Sequence, residues 1–303
     1  MELVKFCKAM SDETRVRLVG LLMRHELNVG EIVQAVGMGQ SRVSRHIKIL
    51  LDAGLVVVRR DGLWAFYRAV QEGRAHAFLN GASAMIEGEA VFADDLSRTE
   101  EVLRRRVEMT REFFDSVAED WDGLARDVLG ELDLAAEILA RMEKCSVAAD
   151  LGCGPGDLLP RLAEKSGSVI GVDNSQKMLD TARSRFPGNK GISLRIGELP
   201  HLPLRDWETD FAVLSMVLHH LSEPQLAIAE AGRVLKMGGK LVVAEFDRHD
   251  NEHMRTEYGD LRLGVSKAEM ENWLGWARFD IKTIAVHPVN KGLHVIMYEC
   301  VKK

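Results

Sequence analysis

Apolar residues recur at helical spacing through the first fifty residues of the chain. Leu18 and Leu21 follow a polar start at Ser11, whose side chain is suited to cap a helix. A second periodic stretch covers residues 29–36, a third covers residues 40–53, and each ends at a glycine. Because glycine readily terminates a helix in the left-handed conformation, the pattern predicts three short helices in a row.

The third predicted helix has one apolar and one polar face, and two short strand patterns follow it. Residues 55–60 and 63–68 flank Asp61 and Gly62, a pair that favours a tight turn between antiparallel strands. Two helices, a polar-faced helix and a basic hairpin, in this order, indicate a winged helix-turn-helix whose third helix enters the major groove of DNA. The residues expected to contact DNA are Gln40, Ser41, Arg42, Ser44, Arg45, His46, Lys48, Arg59 and Arg60.

Residues 71–145 contain no proline and keep apolar residues at helical spacing, so this stretch is predicted to be helical. The run from Arg104 to Arg106 is similar to a nucleic-acid-binding patch, but glutamates lie within helical reach on both sides of it. A solvent-exposed face of ion pairs is therefore the favoured interpretation.

Beyond residue 145, short apolar stretches with strand character alternate with helical patterns such as residues 176–185 and 224–235. Alternating strands and helices predict an α/β fold with a doubly wound, mainly parallel sheet, which binds its ligand over the carboxyl ends of the strands. The five strand candidates are residues 146–151, 168–173, 192–198, 211–215 and 240–245.

The first two strand candidates end in residues suited to hold a nucleoside. Gly152, Gly154 and Gly156 follow the first strand, and glycines in such a turn let a ligand approach the backbone. Their spacing is one residue short of the dinucleotide fingerprint, which disfavours a nicotinamide or flavin cofactor. Asp173 ends the second strand, where a carboxylate can accept hydrogen bonds from two ribose hydroxyls, an arrangement open to any adenosine-containing ligand.

Composition adds a charge asymmetry to this outline. The 303 residues are 46% hydrophobic and 28% charged, and the net charge of −6 hides a surplus of four basic side chains over residues 1–74. A basic module before an acidic remainder favours a polyanion as the partner of the first module. No apolar stretch reaches membrane-spanning length and the start lacks a secretory pattern, so a cytoplasmic protein without membrane contact is expected. The four cysteines include no CxxC pair, which argues against a zinc knuckle.

Residues 5–68 closely resemble the ArsR family of bacterial transcription regulators. The resemblance is carried by Phe6–Arg15 (FCKAMSDETR), Ser41–Leu50 (SRVSRHIKIL) and Ala53–Val56 (AGLV). It implies a homodimer that binds double-stranded operator DNA, and it places the dimer contact in the segment after the hairpin.

Many members of that family sense metals through two cysteines in a Glu-Leu-Cys-Val-Cys-Asp stretch. The matching stretch here is Glu26–Glu31, in which Asn28 and Gly30 occupy the two cysteine positions. Neither residue offers a thiolate, so no metal is expected at this place. The inducing signal is then expected to enter elsewhere in the chain.

Residues 113–300 resemble the class I S-adenosylmethionine-dependent methyltransferases. The resemblance is carried by Asp150–Gly156 (DLGCGPG), Val172–Ser175 (VDNS), Gly197–Pro200 (GELP), Leu218–Leu221 (LHHL) and Met237–Lys240 (MGGK). It implies a Rossmann-like fold and S-adenosylmethionine as the cofactor. Carried over position by position, the residues that would bind it are Asp150, Gly152, Gly154, Asp173, Asn174, Met178, Glu198, Leu199 and Ser215.

The same resemblance places His220 near the sulfonium, which makes it the candidate catalytic residue. An equally open interpretation is that the histidines in this region only form a polar rim around the pocket. Methyl transfer to an acceptor that is already nucleophilic depends mainly on holding the two reacting groups in line, so a catalytic base is not required.

Signatures of several methyltransferase classes are missing from the sequence. Residues 215–218 lack the Asp/Asn/Ser-Pro-Pro-aromatic motif of DNA amino-methyltransferases, and no proline precedes a cysteine as cytosine C5 enzymes require. Arsenite methylation requires several cysteines around the pocket, and only Cys153 is expected near it. A DNA base or arsenite is therefore not the expected acceptor.

These observations favour a transcription regulator whose methyltransferase-like domain binds S-adenosylmethionine or S-adenosylhomocysteine as its effector, with methionine-cycle genes as targets suggested by the resemblance. One alternative is an active small-molecule methyltransferase with an accessory DNA-binding domain. Another is a winged helix that serves only dimerisation. The expected organisation is an α+β winged helix-turn-helix over residues 1–72, a helical dimerisation and connector region over 73–112, and a methyltransferase-like α/β domain over 113–303.

Overall fold

The computed structural model describes residues 1–188 and 191–303, which form two compact units. The first unit covers residues 1–108 and the second covers residues 109–303. Each unit has its own buried apolar core. One helix, α6 (Ala90–Val117), runs across the division between them.

The first unit is a winged helix followed by two further helices. Its elements in chain order are α1 (Glu2–Ala9), α2 (Glu13–Arg24), β1 (Leu27–Asn28), α3 (Val29–Val36), α4 (Gln40–Ala53), β2 (Val56–Asp61), β3 (Trp64–Ala69), α5 (Gly73–Glu87) and the first part of α6. The strands form an antiparallel sheet in the order β1–β3–β2. The three predicted helices and the hairpin are confirmed, whereas α1 is a helix that the sequence pattern did not single out.

Local caps explain where these helices begin and end. Asp12, and not Ser11, caps α2 by accepting a hydrogen bond from the Arg15 amide. Asn28 and Glu31 form a reciprocal capping box at the start of α3. The glycines that follow α3 and α4 both adopt the left-handed conformation, as their positions in the sequence predict.

Residues 73–108 pack with the winged helix. Leu79, Ile86 and Phe92 lie in the same core cluster as the apolar face of α2. Phe92 approaches Gly20 so closely that a Cβ at that glycine would lie 2.5 Å from its ring. The stretch expected to act as a connector is therefore, as far as residue 108, part of the first unit, because its apolar residues complete that core.

The second unit is an α/β sandwich built on a seven-stranded sheet. Its strands are β4 (Cys145–Leu151), β5 (Ser166–Asp173), β6 (Ile192–Ile196), β7 (Thr209–Ser215), β8 (Leu235–Phe246), β9 (Phe279–Pro288) and β10 (His294–Lys302). Its helices are α7 (Trp121–Leu129), α8 (Leu134–Ala140), α9 (Leu159–Ala163), α10 (Gln176–Arg185), α11 (Pro224–Val234), α12 (His253–Tyr258) and α13 (Lys267–Trp276).

The strand order is β6–β5–β4–β7–β8–β10–β9. The first five strands in this order pair in parallel, while β10 runs antiparallel to both of its neighbours. The predicted doubly wound parallel sheet is thus confirmed, and the antiparallel pair β9 and β10 extends it. The direction in which successive strands are added to the sheet reverses at β4, between β5 on one side and β7 on the other, and ligands of such sheets bind at this switch point, over the carboxyl ends of the strands.

Candidate functional site

A glycine-rich turn leads from the end of β4 into the second layer of the unit. Gly152 and Gly154 both have positive φ, and a Cβ at Gly152 would lie 2.6 Å from the side chain of Val217. A Cβ at Gly154 would meet no atom of the described chain within 4 Å. The turn is therefore closed on the Val217 side and open at Gly154, which is the shape needed by a ligand that lies against backbone.

Asp173, at the end of β5, ties the glycine turn to the neighbouring strand. Its carboxylate accepts hydrogen bonds from the Gly154 amide at 2.8 Å and the Ser175 amide at 2.9 Å. Burial raises the pKa of Asp173, and the backbone donors partly oppose that rise. A carboxylate held in this way keeps further lone pairs that suit the vicinal hydroxyls of a ribose.

Asp150 lies one residue before the end of β4 and is buried. Burial, together with the negative charges of Asp173 and Asp157, raises the pKa of this carboxyl to about 7. A buried carboxyl group beside a half-buried one makes this corner of the sheet favourable for a ligand that carries positive charge. The amino-acid ammonium group and the sulfonium of S-adenosylmethionine have that chemistry.

The other residues expected to bind the cofactor lie at successive strand ends. Asn174 follows β5, Glu198 and Leu199 follow β6, and Ser215 is the last residue of β7. Met178 is buried in the first turn of α10, where its amide hydrogen bonds to the Ser175 hydroxyl. The fold thus brings the predicted set to one edge of the sheet, while the individual role of each residue stays a prediction.

Sequence reasoning missed two residues of α6 that lie at this edge. Asp115 accepts a hydrogen bond from the hydroxyl of Ser175 at 2.5 Å. Phe114 meets the ring of His220 edge-on, with ring centroids 4.6 Å apart. The amphipathic pattern of residues 113–122 was the available signal, but it did not identify these partners because they are distant in sequence.

A buried polar cluster lies next to the end of β7, centred on His219. The Nδ1–H of His219 donates to Glu245 Oε1 at 2.5 Å, and the His219 amide donates to the other oxygen of the same carboxylate. Burial lowers the pKa of His219, but the negative charges of Glu245 and Asp260 more than reverse this and raise it to about 9. His219 is therefore protonated near neutral pH and supplies positive charge to Glu245 and Asp260.

His220 differs from its neighbour in protonation. Its Nδ1 lies 3.2 Å from the carbonyl oxygen of Gly259, and because a carbonyl only accepts, Nδ1 carries the proton. Burial and the nearby charge of His219 lower the pKa of His220 well below its ordinary value. The ring is therefore neutral with an acceptor lone pair on Nε2, the state that a general base needs.

The expected DNA-contacting face of α4 is largely exposed. Its N-terminal turns present polar and basic side chains to solvent along one side of the helix, while Val43, Ile47 and Leu50 are buried on the other. The exposed members of the predicted set are Gln40, Ser41, Arg42, Ser44, Arg45 and Lys48 on α4 and Arg60 on β2.

Two residues of that predicted set require correction. His46 is only 5% exposed and points inward, with Nδ1 3.6 Å from an Asp12 oxygen, so it cannot reach a base edge. Arg59 donates to the carboxylates of Glu26 and Asp61, at 2.7 and 2.5 Å, and its guanidinium lies 4.7 Å from the centre of the Phe66 ring. Arg59 therefore stabilises the wing from inside instead of contacting DNA.

The place where the family resemblance would put metal ligands holds an ion pair instead. Asn28 caps α3, and Arg106 of α6 donates to the carboxylate of Glu31 in the first turn of the same helix. A positively charged side chain thus approaches the start of α3, where relatives with cysteines are expected to hold a cation.

Comparisons with protein families agree with both units. Residues 12–58 match the family model of the bacterial regulatory protein arsR family, and residues 149–243 match the methyltransferase domain model. The chain thus has an ArsR-type helix-turn-helix at its N-terminus and a methyltransferase domain at its C-terminus.

Two curated relatives show the extent of similarity in sequence. An uncharacterized 37.1 kDa protein in transposon TN4556 of Streptomyces fradiae is 42% identical over 119 residues, which are 38% of this chain and 34% of that protein. A demethylmenaquinone methyltransferase of Lactobacillus johnsonii is 38% identical over 110 residues, which are 34% of this chain and 45% of that enzyme. The chain spans less than two thirds of the length of these relatives.

Solved structures support the fold of the second unit. A possible histamine N-methyltransferase of Thermotoga maritima superposes with a TM-score of 0.51 at 22% identity, covering 64% of this chain and all of that one. At this identity the likeness establishes the methyltransferase fold alone. Within residues 1–188 and 191–303, no helix combines the length and the apolar character that crossing a bilayer requires.

Proposed function

We propose that this chain is a DNA-binding transcription regulator whose methyltransferase domain binds S-adenosylmethionine or S-adenosylhomocysteine as its effector. The observation that carries the proposal is the continuity of α6. Its first part contacts the helix-turn-helix, and its last part contacts the candidate adenosyl site. One helix therefore has partners in both functional regions of the chain.

The first part of α6 is fixed to the helix-turn-helix by charged side chains. Asp95 is fully buried and accepts hydrogen bonds from Arg17 of α2 at 2.6 and 2.8 Å. The guanidinium of Arg98 donates to the Ala35 carbonyl at the end of α3. Together with Arg106 and its partner in the first turn of α3, these contacts couple the position of α6 to the helices that hold α4.

The last part of α6 meets the methyltransferase domain at residues next to the adenosyl site. Asp115 bonds to the hydroxyl of Ser175, which also caps α10 and follows the predicted ribose ligand by two residues. The ring of Phe113 packs over Gly259, where an added Cβ would lie 2.6 Å from it. A ligand that reorders the end of β5 would thus change the environment of α6.

The two adenosyl ligands differ by one methyl group and one positive charge. The buried carboxyl group of Asp150 and the half-buried one of Asp173 favour the charged ligand, whereas an apolar wall favours the neutral one. Coupling between two sites of a protein is typically about 1–3 kcal/mol, a factor of 5–150 in affinity, and it acts equally in both directions. Operator DNA is then expected to change ligand affinity by the same factor as the ligand changes DNA affinity.

The proposal includes a homodimer on double-stranded operator DNA, with methionine-cycle genes as targets. Exposed basic residues on α4 support the DNA part, and the ArsR-type match over residues 12–58 supports the dimer, since dimers read two-fold symmetric sites.

Fluorescence anisotropy on the promoter fragment upstream of this gene tests the effector role. Titrations are run without ligand, with S-adenosylmethionine and with S-adenosylhomocysteine, at fixed salt. We expect at least one ligand to shift the DNA dissociation constant fivefold or more. Identical titrations in all three conditions, with ligand binding shown by calorimetry, contradict the effector role.

A second candidate function is an active small-molecule methyltransferase with an accessory DNA-binding domain. The observation that favours it is the neutral His220, whose fixed tautomer leaves Nε2 able to take a proton from an acceptor. When bound, S-adenosylmethionine would supply the methyl group. Release of S-adenosylhomocysteine with any member of a broad acceptor panel supports this function, and its absence across the panel argues against it.

A further inference from the structure

We infer that His219, His220 and Asp260 form a binding site for a first-row divalent transition-metal ion such as Zn²⁺. The inference goes beyond the proposed function and does not depend on it. All three residues are buried, and one ligand atom from each lies within 4.8 Å of the other two. Two imidazoles and one carboxylate are the donor set of many zinc and iron sites, which keep a further position open for an external ligand.

The distances suit a shared cation better than direct hydrogen bonds. His219 Nε2 lies 3.7 Å from Asp260 Oδ1, and His220 Nδ1 lies 3.9 Å from the same oxygen. Both separations exceed hydrogen-bond length. Two ligands on one tetrahedral zinc, at bonds of about 2.0–2.2 Å, lie roughly 3.4 Å apart. The rings and the carboxylate therefore need only a small inward movement to bind one ion.

The surroundings of His219 match those of a metal ligand. Its Nδ1–H donates to Glu245, so the ring is oriented with Nε2 toward Asp260. Glu245 is itself fixed, because it also accepts hydrogen bonds from the amides of His219 and Phe246. Metal-binding histidines commonly donate their second nitrogen to a carboxylate in this way.

The loop that carries Asp260 is held against His219 by the backbone. The amides of Leu261 and Arg262 donate to the carbonyl of His219 at 3.1 and 2.9 Å, and the Asp260 amide donates to the Met254 carbonyl. These bonds place Asp260 before any ligand arrives. His220 enters the site either by exchanging its contact with the Gly259 carbonyl for the ion or by presenting Nε2.

The charge of the cluster is compatible with a bound cation. Glu245 and Asp260 are 1% and 3% exposed, and His219 lies within reach of both carboxylates. A divalent ion held by Asp260 and the two imidazoles replaces the proton on His219 Nε2, because a metal ligand must be deprotonated, and it keeps positive charge at this place. Nitrogen and oxygen donors without thiolate favour Zn²⁺, Co²⁺, Ni²⁺ or Fe²⁺ over softer ions.

The test uses the full-length protein with its purification tag removed. The protein is stripped with a chelator, loaded with Zn²⁺, dialysed, and analysed for metal content by inductively coupled plasma mass spectrometry. We expect one equivalent per chain in the wild type, and its loss in Asp260→Asn and in His219→Gln. His253→Gln is the matched control, because His253 is an exposed histidine outside the cluster, and it should retain the full equivalent.

A second measurement does not rely on these variants staying folded. Loading the wild type with Co²⁺ should give the visible absorption of a nitrogen- and oxygen-ligated ion, without the thiolate charge-transfer band that binding at exposed Cys7 would produce. Glu245→Gln, which keeps all three ligands, should weaken Zn²⁺ binding about 10- to 100-fold in a competition titration. A wild type that retains no metal, a thiolate spectrum, or unchanged metal content in Asp260→Asn and His219→Gln would each overturn the inference.

Discussion

Arg106 in α6 forms an ion pair with Glu31 in α3, and both side chains are 13% exposed. Glu31 also completes the capping box with Asn28 at the start of α3. The two positions where relatives with metal-sensing cysteines would bind a cation, Asn28 and Gly30, lie in this same helix start. A guanidinium from α6 thus supplies positive charge at a place where the family resemblance expects an ion.

If this ion pair transmits the effector signal, Arg106→Gln should uncouple the two functions. We expect DNA binding to persist while the ligand-dependent shift in the DNA dissociation constant falls toward zero. Stability should drop by about 1.5–3 kcal/mol, since a charge-assisted, mostly buried hydrogen-bond pair is lost. Arg105→Gln is the control, because Arg105 is exposed and pairs only with Glu101 among the described residues. Equal ligand shifts in both variants would exclude Arg106 as the coupling residue.

The exposed side of α4 predicts where DNA is bound. Replacing Arg45 and Lys48 with alanine should weaken binding by about 1–3 kcal/mol for each specific contact, and each lost phosphate contact should lower the salt slope by about 0.9. Anisotropy titrations at several salt concentrations measure both quantities. Arg74→Ala, at an exposed arginine of α5, serves as the control. DNA retention unchanged by the double substitution would favour a winged helix used only for dimerisation.

Arg59 and Arg60 are adjacent in sequence but should respond in opposite ways. Arg59→Ala leaves Glu26 and Asp61 without their shared cation, so urea denaturation should show a loss of about 1.5–3 kcal/mol. Arg60→Ala, at an exposed position, should keep that stability and lower DNA affinity. A stable Arg59→Ala protein with impaired DNA binding would show that the assignment of Arg59 to the wing interior is wrong.

Asp173→Ala should abolish binding of S-adenosylmethionine and S-adenosylhomocysteine alike, because both ligands carry the same ribose hydroxyls. Isothermal titration calorimetry measures the two affinities, and Asp180→Ala, at an exposed aspartate of α10, is the matched control. Since Asp173 also accepts two backbone hydrogen bonds, circular dichroism should accompany the titrations. Wild-type affinity for either ligand would rule out the assigned ribose contact.

The raised pKa of Asp150 predicts that this group lowers the stability of the fold as the pH rises, whereas an ordinary ion-paired aspartate raises it. Between about pH 4 and pH 7 the folded protein holds a proton on Asp150 that the unfolded chain releases, so this group lowers stability as the pH rises through that window. Asp150→Asn should remove this contribution. The unfolding free energy of the variant, measured relative to the wild type, should therefore be higher at pH 8 than at pH 5.

Much of the fold was accessible from local patterns. Helical periodicity, the Asp-Gly turn and the alternation of strands with helices predicted the winged helix and the five parallel strands. The inward position of His46 was also readable, because it follows Val43 by three residues on the apolar stripe of α4. Its residue type suggests a polar position facing DNA, whereas its spacing indicates burial.

Other features depend on partners that are distant in sequence. The ion pair with Glu26, which lies 33 positions earlier, holds Arg59 away from the expected DNA-binding surface. Asp115 lies at the adenosyl edge because it accepts a hydrogen bond from Ser175, which lies 60 positions later. Such pairs follow from the packing of whole elements, so no local pattern predicts them. The cluster around His219 arises in the same way, since Glu245 and Asp260 come from separate elements.

The uninterrupted α6 also restricts how such chains can be recombined. An α-helix has 3.6 residues per turn, so one residue inserted near position 108 would turn the face of α6 that carries Phe114 and Asp115 by about 100° relative to the face that carries Asp95 and Arg106. An insertion of seven residues would nearly restore the original phase. Insertions into α6 are therefore expected to keep the proposed coupling between its two ends only when they restore this phase of the helix.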